Sequence, residues 1–229
     1  MPNCAFRNAE RVEFRAPCGE KVSGQKVSGQ KVSGAKVSGA NVVPSDVVPR
    51  DVRRTVTVLF ADVTGSTALG EQLDPESLRA LMGRYFGATK EIVERHGGTV
   101  EKFIGDAVMA VFGIPILHED DALRAVRAAA EIRETLGKLN EELQQRRGLA
   151  VVFRTGLSTG VVVAGDPSTG QTFVTGDTVN TAARLEQAAE PGEILLGQGT
   201  YRLVRDAVVA EPIEPINAKG KAEPVPAYR

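Results

Sequence analysis

Apolar positions recur along this chain at two spacings, and the alternation between them outlines a fold. Thr55 to Phe60 (TVTVLF) is a short run rich in β-branched and apolar residues, which predicts a strand, and ADVTGST after it reads as a loop. Asp74 followed by Pro75 makes a helix cap and first helical position. Leu78, Leu81, Met82, Tyr85, Phe86, Ile92 and Val93 then recur at helical spacing until His96-Gly97-Gly98 ends the helix. TVEKFIGDAVMAVFG predicts two strands around a tight Gly105-Asp106 turn. A long helix is expected from about Glu119. It has acids at its start, Arg146 and Arg147 at its end, Ala122, Val126, Ala129, Ile132, Leu136, Leu139 and Leu143 inward, and Gly148 as its stop. LAVVFRTGLSTGVVVAG supplies a strand pair or one long strand, Asp177 to Ala189 a short helix, and EILL with the last forty residues further strands. Strand, helix, hairpin, helix, strand in that order predicts an α+β fold: an antiparallel sheet covered by helices on one face.

Regular patterning is confined to residues 51–229, one globular domain. Residues 21–50 hold four copies of a five-residue unit, KVSGQ, KVSGQ, KVSGA and KVSGA, each offering one valine beside a Ser-Gly pair. So little apolar surface cannot order a chain, and the segment reads as a flexible linker. The 28 Lys and Arg against 29 Asp and Glu form no basic stripe, which argues against nucleic acid as a partner. The longest apolar runs, such as VVVAG at 161–165, fall far short of the roughly 20 residues that a membrane helix needs. The first residues contain no continuous hydrophobic region of the signal-peptide kind, so a cytoplasmic location is expected, with no membrane association. Cys4 and Cys18 lie outside the expected core and cannot supply a disulfide framework.

The candidate chemistry begins with two aspartates. Asp62 follows the strand TVLF and leads into Val63, Thr64, Gly65, Ser66 and Thr67, a small-residue loop whose backbone amides suit phosphate oxygens. Asp106 occupies the hairpin turn. Taken singly, each is ordinary: an aspartate after a strand is a common turn former, and Gly-Asp is ordinary hairpin chemistry. Taken together, FADVTGST, EKFIGDAVMAVFG and TGDTVNTAARLEQAAEPGE occur in an order and at separations that resemble the class III adenylate and guanylate cyclase catalytic domain throughout residues 51–229.

That resemblance implies a ferredoxin-like cyclase fold, an adenylate cyclase activity (a phosphorus-oxygen lyase of intracellular signalling) and a head-to-tail homodimer with shared sites. It implies two divalent cations, Mg2+ or Mn2+, held by Asp62 and Asp106. It assigns Asn180 to the ribose and Arg184 to the transition-state phosphate. Residues four apart on a helix share a face, and an arginine fork matches phosphate oxygens. Lys102 matches the lysine that selects adenine, so ATP is the expected substrate; guanylate-specific forms carry glutamate there. KGKAEPVPAY matches the segment whose lysine touches the triphosphate, either Lys219 or Lys221. One position departs from the pattern: the second base-selecting residue, seven before Asn180, is Phe173. A guanylate cyclase, or a silent nucleotide-binding module, are the alternative readings.

Residues 1–20 resemble a degenerate form of the small zinc ribbon that precedes such domains. Met1 and Arg15 stand three positions before Cys4 and Cys18, where the partner thiolates of two C-x-x-C pairs belong, leaving two ligands where a structural zinc wants four.

Overall fold

A computed structural model describes residues 52–165, 174–217 and 223–229. In chain order the elements are β1 (Val52–Thr64), α1 (Ser66–Gln72), α2 (Pro75–Arg95), β2 (Thr99–Ile104), β3 (Ala107–Phe112), α3 (Asp121–Arg147) and β4 (Val152–Ala164). They continue as β5 (Val174–Thr175), α4 (Asp177–Ala188), β6 (Ile194–Gly197), α5 (Gln198–Val204), β7 (Pro212–Ile216) and β8 (Val225–Tyr228). The strands form one sheet in the order β2-β3-β1-β4-β6-β8-β7, with β5 paired to β4. Its pairings are antiparallel except β4 with β6, which run parallel. The first part of that order, with α2 and α3 between its strands, is the split βαβ arrangement of ferredoxin-like folds. The expected α+β class holds.

The central strand explains why TVTVLFADV reads as a continuous apolar run rather than a clean alternation. Leu59, Ala61 and Val63 point to one face and join a core with Tyr85, Ile92 and Val93 of α2, Ile132 and Leu136 of α3, and Leu157 of β4. Val56, Val58 and Phe60 point the other way, into a second core with Met109, Val111, Val162 and Ala182. A strand buried on both faces is apolar at nearly every position, with Thr57 and Asp62 the polar exceptions between Val56 and Val63. The helices α2 and α3 cover one face as expected. The correction is α4, which supplies Ala182 to the second core and so lies over the opposite face.

The caps follow local chemistry. The Asp74 carboxylate accepts the Ser77 N–H at 2.8 Å, and Gly148 ends α3 at φ 67°. Three expectations are refined. The strand read at residues 55–60 extends from Val52 to Thr64, pairing with β4 as far as Thr64 opposite Val152. The segment read as the loop ADVTGST is therefore the end of β1, a left-handed Gly65 at φ 83° and the start of α1. LAVVFRTGLSTGVVVAG is one long strand, β4, rather than a pair. Its glycines do not mark a turn; at Gly156 an added Cβ would run into Ala182 O and the Glu186 backbone of α4. The short helices α1 and α5 carry too few turns to leave a periodic signal. No described helix is long and apolar enough to cross a membrane.

Candidate active site

Asp62 sits near the end of β1, where the strand register sets it directly opposite Arg154 of β4. The guanidinium Nη2 of Arg154 donates to Asp62 Oδ2 at 2.9 Å. Its Nε lies 2.6 Å from Oε1 of Glu186, on α4, an ion pair by distance whose N–H is not aimed along the hydrogen-bond direction. Its Nη1 reaches the Gln187 carbonyl at 3.3 Å. All three nitrogens of one arginine are thus engaged, two of them by carboxylates.

The electrostatics of this cluster follow from burial. Glu186 is 5% exposed, and loss of solvent pushes its carboxyl up to about 7; the Arg154 charge pulls it back and the Asp62 charge pushes it further up. Burial works against the charge on Arg154, yet its bond to Asp62 and the charge of Glu186 outweigh that and hold it above the ordinary arginine range. Beneath Asp62, the buried Tyr85 hydroxyl donates to Ala61 O at 2.9 Å. Burial raises its phenol strongly, and the charges of Asp62, Asp106 and Glu186 add to the effect.

Strand pairing gathers the two aspartates at one end of the sheet. Ala61 of β1 pairs with Val108 of β3, so the turn holding Asp106 lies at the same end of the sheet as Asp62. Val63 is 2% exposed, its side chain in the core, so it offers a site only its backbone; Thr64 is half-buried with a hydroxyl that has no hydrogen-bond partner among the described residues, and Gly65 is exposed. Ser66 and Thr67 open α1. Lys102 lies on the edge strand β2, half-buried, opposite Met109. On α4, Asn180 is exposed and Arg184 half-exposed, with Arg184 Nη1 donating to Gln187 Oε1 at 2.8 Å. Asp62 instead meets the inner side of α4, through Arg154 and Glu186. Lys219, Lys221, Phe173 and the zinc-ribbon-like segment fall outside the described residues.

Arg154, Glu186 and Tyr85 were not singled out for chemistry by motif reading. Their signals are nonetheless present: an arginine inside the apolar strand VVFRTGL, and a glutamate four residues after Ala182 on the buried stripe of a helix. Tyr85 reads as core, and only its hydroxyl's partner distinguishes it.

Among the described residues no three His, Cys, Asp or Glu side chains gather as a metal-holding group. Two carboxylates at one end of the sheet nevertheless suit a hard cation such as Mg2+ or Mn2+, which is usually held by one or two carboxylates and completed by water and substrate phosphates. The donor set fits that group.

Residues 48–228 match the family described as the adenylate and guanylate cyclase catalytic domain. The chain belongs to that family. Among proteins it resembles, an adenylate cyclase of Mycobacterium tuberculosis is 34% identical over 167 residues, covering 72% of this chain and 37% of that protein's length. The chain thus spans little more than a third of that relative. The crystal structure of the adenylyl cyclase CyaB from P. aeruginosa superposes with a TM-score of 0.73 at 34% identity, over 77% of this chain and 93% of that one. The guanylyl cyclase Cya2 gives 0.72 at 31% identity, over 78% and 92%.

Proposed function

We propose that this domain is an adenylate cyclase, converting ATP to 3′,5′-cyclic AMP and pyrophosphate at sites shared between two copies of the chain. The observation that carries the reading is the placement of Asp62, on β1, and Asp106, in the turn between β2 and β3, at one end of the sheet, in a chain that keeps Asn180 and Arg184 on the outer side of α4. In the reaction the ribose 3′-oxygen attacks the α-phosphorus, the α–β anhydride bond breaks, the hydroxyl proton is lost and pyrophosphate leaves.

Two divalent cations, when bound, lower the charge of the triphosphate and favour the ionised 3′-oxygen. Asp62 and Asp106 would hold them. Asn180 orients the sugar, and Arg184 meets charge as it develops on the phosphate, its fork matching the equatorial oxygens. Lys102 reads adenine. Asp62 is tied to the inner side of α4 while Asn180 and Arg184 face outward, so one nucleotide is best served by Asp62 and Asp106 of one subunit with Lys102, Asn180 and Arg184 of its partner. Lys219 or Lys221 adds a contact to the triphosphate.

GTP is the second reading. It is supported by the likeness to the guanylyl cyclase Cya2 and by phenylalanine at position 173, where the adenylate cyclases of the family carry an aspartate or threonine. Product formation from ATP and from GTP, each with Mn2+ or Mg2+, separates the two. The shared site is tested by mixing: Asp62→Ala and Arg184→Ala are each expected to be inactive alone and to regain part of the activity together, because a mixed dimer keeps one complete site. Mixtures that exchange subunits without recovering activity refute the shared site.

A further inference from the structure

The buried Glu186 has no part in the reaction outlined above, and its surroundings give it one. Its carboxylate lies 2.6 Å from Arg154 Nε, and the same guanidinium donates through Nη2 to Asp62 at 2.9 Å. Asp62 and Arg154 are fixed opposite each other by strand register, so the strands alone determine that they meet. What they leave open is how the guanidinium divides its charge and its donors. That is decided by α4, whose backbone at Glu186 touches β4 so closely that Gly156, two residues beyond Arg154, has no room for a side chain.

We propose that Glu186 is a positioning residue for Asp62: by taking one edge of the Arg154 guanidinium, it keeps that arginine from closing on Asp62 alone and so keeps the Asp62 carboxylate available to a divalent cation. The inference rests on the reading of Asp62 as a cation ligand. The physical reason is competition. A carboxylate neutralised by a sole arginine partner must give up that pair before a cation can bind, whereas an arginine already balanced by a second carboxylate holds the first in place without neutralising it. Groups that orient metal-holding carboxylates are typically worth about 10-fold to 100-fold in metal affinity.

A consequence follows for α4. Its inner side reaches Asp62 of its own subunit through Glu186, and its outer side carries Asn180 and Arg184, which the shared-site reading gives to the partner's nucleotide. The same helix thus carries a residue that reaches its own subunit's Asp62 and residues that, on the shared-site reading, serve the partner's nucleotide.

The experiment compares the full chain with Glu186→Gln, Arg154→Lys and Asp62→Asn at mildly alkaline pH. Mn2+ binding is read directly from the paramagnetic resonance signal of the free ion, and metal dependence separately from turnover. Glu186→Gln keeps the shape and removes the charge, and it is expected to weaken Mn2+ binding by about tenfold. The half-saturating Mn2+ concentration in turnover should rise by a larger factor than kcat falls. Arg154→Lys, which keeps the charge but cannot fork between two carboxylates, should shift Mn2+ binding as well and serves if the glutamine variant does not fold. Mn2+ binding by Glu186→Gln within twofold of the unaltered chain, while Asp62→Asn loses it, overturns the role of Glu186 alone. Unchanged binding by Asp62→Asn overturns the assignment of Asp62, and the proposal with it.

Discussion

Gly156 is where β4 and α4 approach most closely, and replacing it by alanine tests whether that approach positions the site. An added Cβ would overlap Glu186 N and Ala182 O and lie 2.9 Å from Glu186 Cα, all backbone of α4. No rotamer relieves such a clash, so the helix must move by about 1 Å to restore ordinary contact distance. Overpacking a core typically costs about 1–3 kcal/mol, and backbone against backbone belongs at the upper end, about 3 kcal/mol. For a domain of this size that lowers Tm by about 6–12 °C, at about 2–4 °C per kcal/mol. Activity should fall further than stability, because α4 carries Asn180, Arg184 and Glu186, and a misplacement of about 1 Å costs on the order of 100-fold in rate. The assays are urea unfolding and cyclic nucleotide formation, beside Gly137→Ala on an exposed stretch of α3, where an added Cβ meets nothing within 4 Å. That control should be stabilised by about 0.5–1 kcal/mol. A Gly156→Ala protein as stable as the unaltered chain, with unchanged turnover, refutes the claim that this contact sets the position of α4.

Two other outcomes are expected. Tyr85→Phe keeps the ring contacts with Phe86 and Phe153, each at 5.1 Å, but removes the hydroxyl that donates to the Ala61 carbonyl, and should cost about 0.5–1.5 kcal/mol in urea unfolding; a loss too small to measure would mean that the strand ladder alone satisfies that carbonyl. Glu193 is held below its usual value of 4.5, chiefly by the Glu190 N–H and next by Arg229. The unfolded chain therefore takes up its proton first as pH falls, so this group's stabilisation is complete above its unfolded value and is lost as pH drops through the lower folded one. Glu193→Gln should flatten the acid side of the stability profile by up to about one proton, and identical slopes would refute it.

Local structure was legible in the residues because its causes are local. Asp74-Pro75 caps a helix wherever it occurs ahead of a helical stripe, Gly148 stops one, and Gly105-Asp106 between β-branched runs makes a hairpin turn; each was readable and each is present. The ends of β1 were harder to place. Thr64 and its neighbours are loop-like by composition, and they remain strand only because β4 pairs with them. The glycines of β4 looked like a possible break, since sequence does not distinguish a glycine that turns from one that admits a helix.

By itself, then, the sequence determined the longer elements and their order, the α+β class, and the places of Asp106 in the hairpin turn, Lys102 on a strand and Asn180 and Arg184 on a helix. Hydrophobic period and capping chemistry act within a few residues, and motif spacing is a property of the chain. Only the tertiary structure decided that α4 covers the second face of the sheet, that β6 runs parallel to β4, and that Arg154 stands between Asp62 and Glu186. Those contacts join residues far apart in sequence, and they depend on which strand faces which and how closely a helix is allowed to approach.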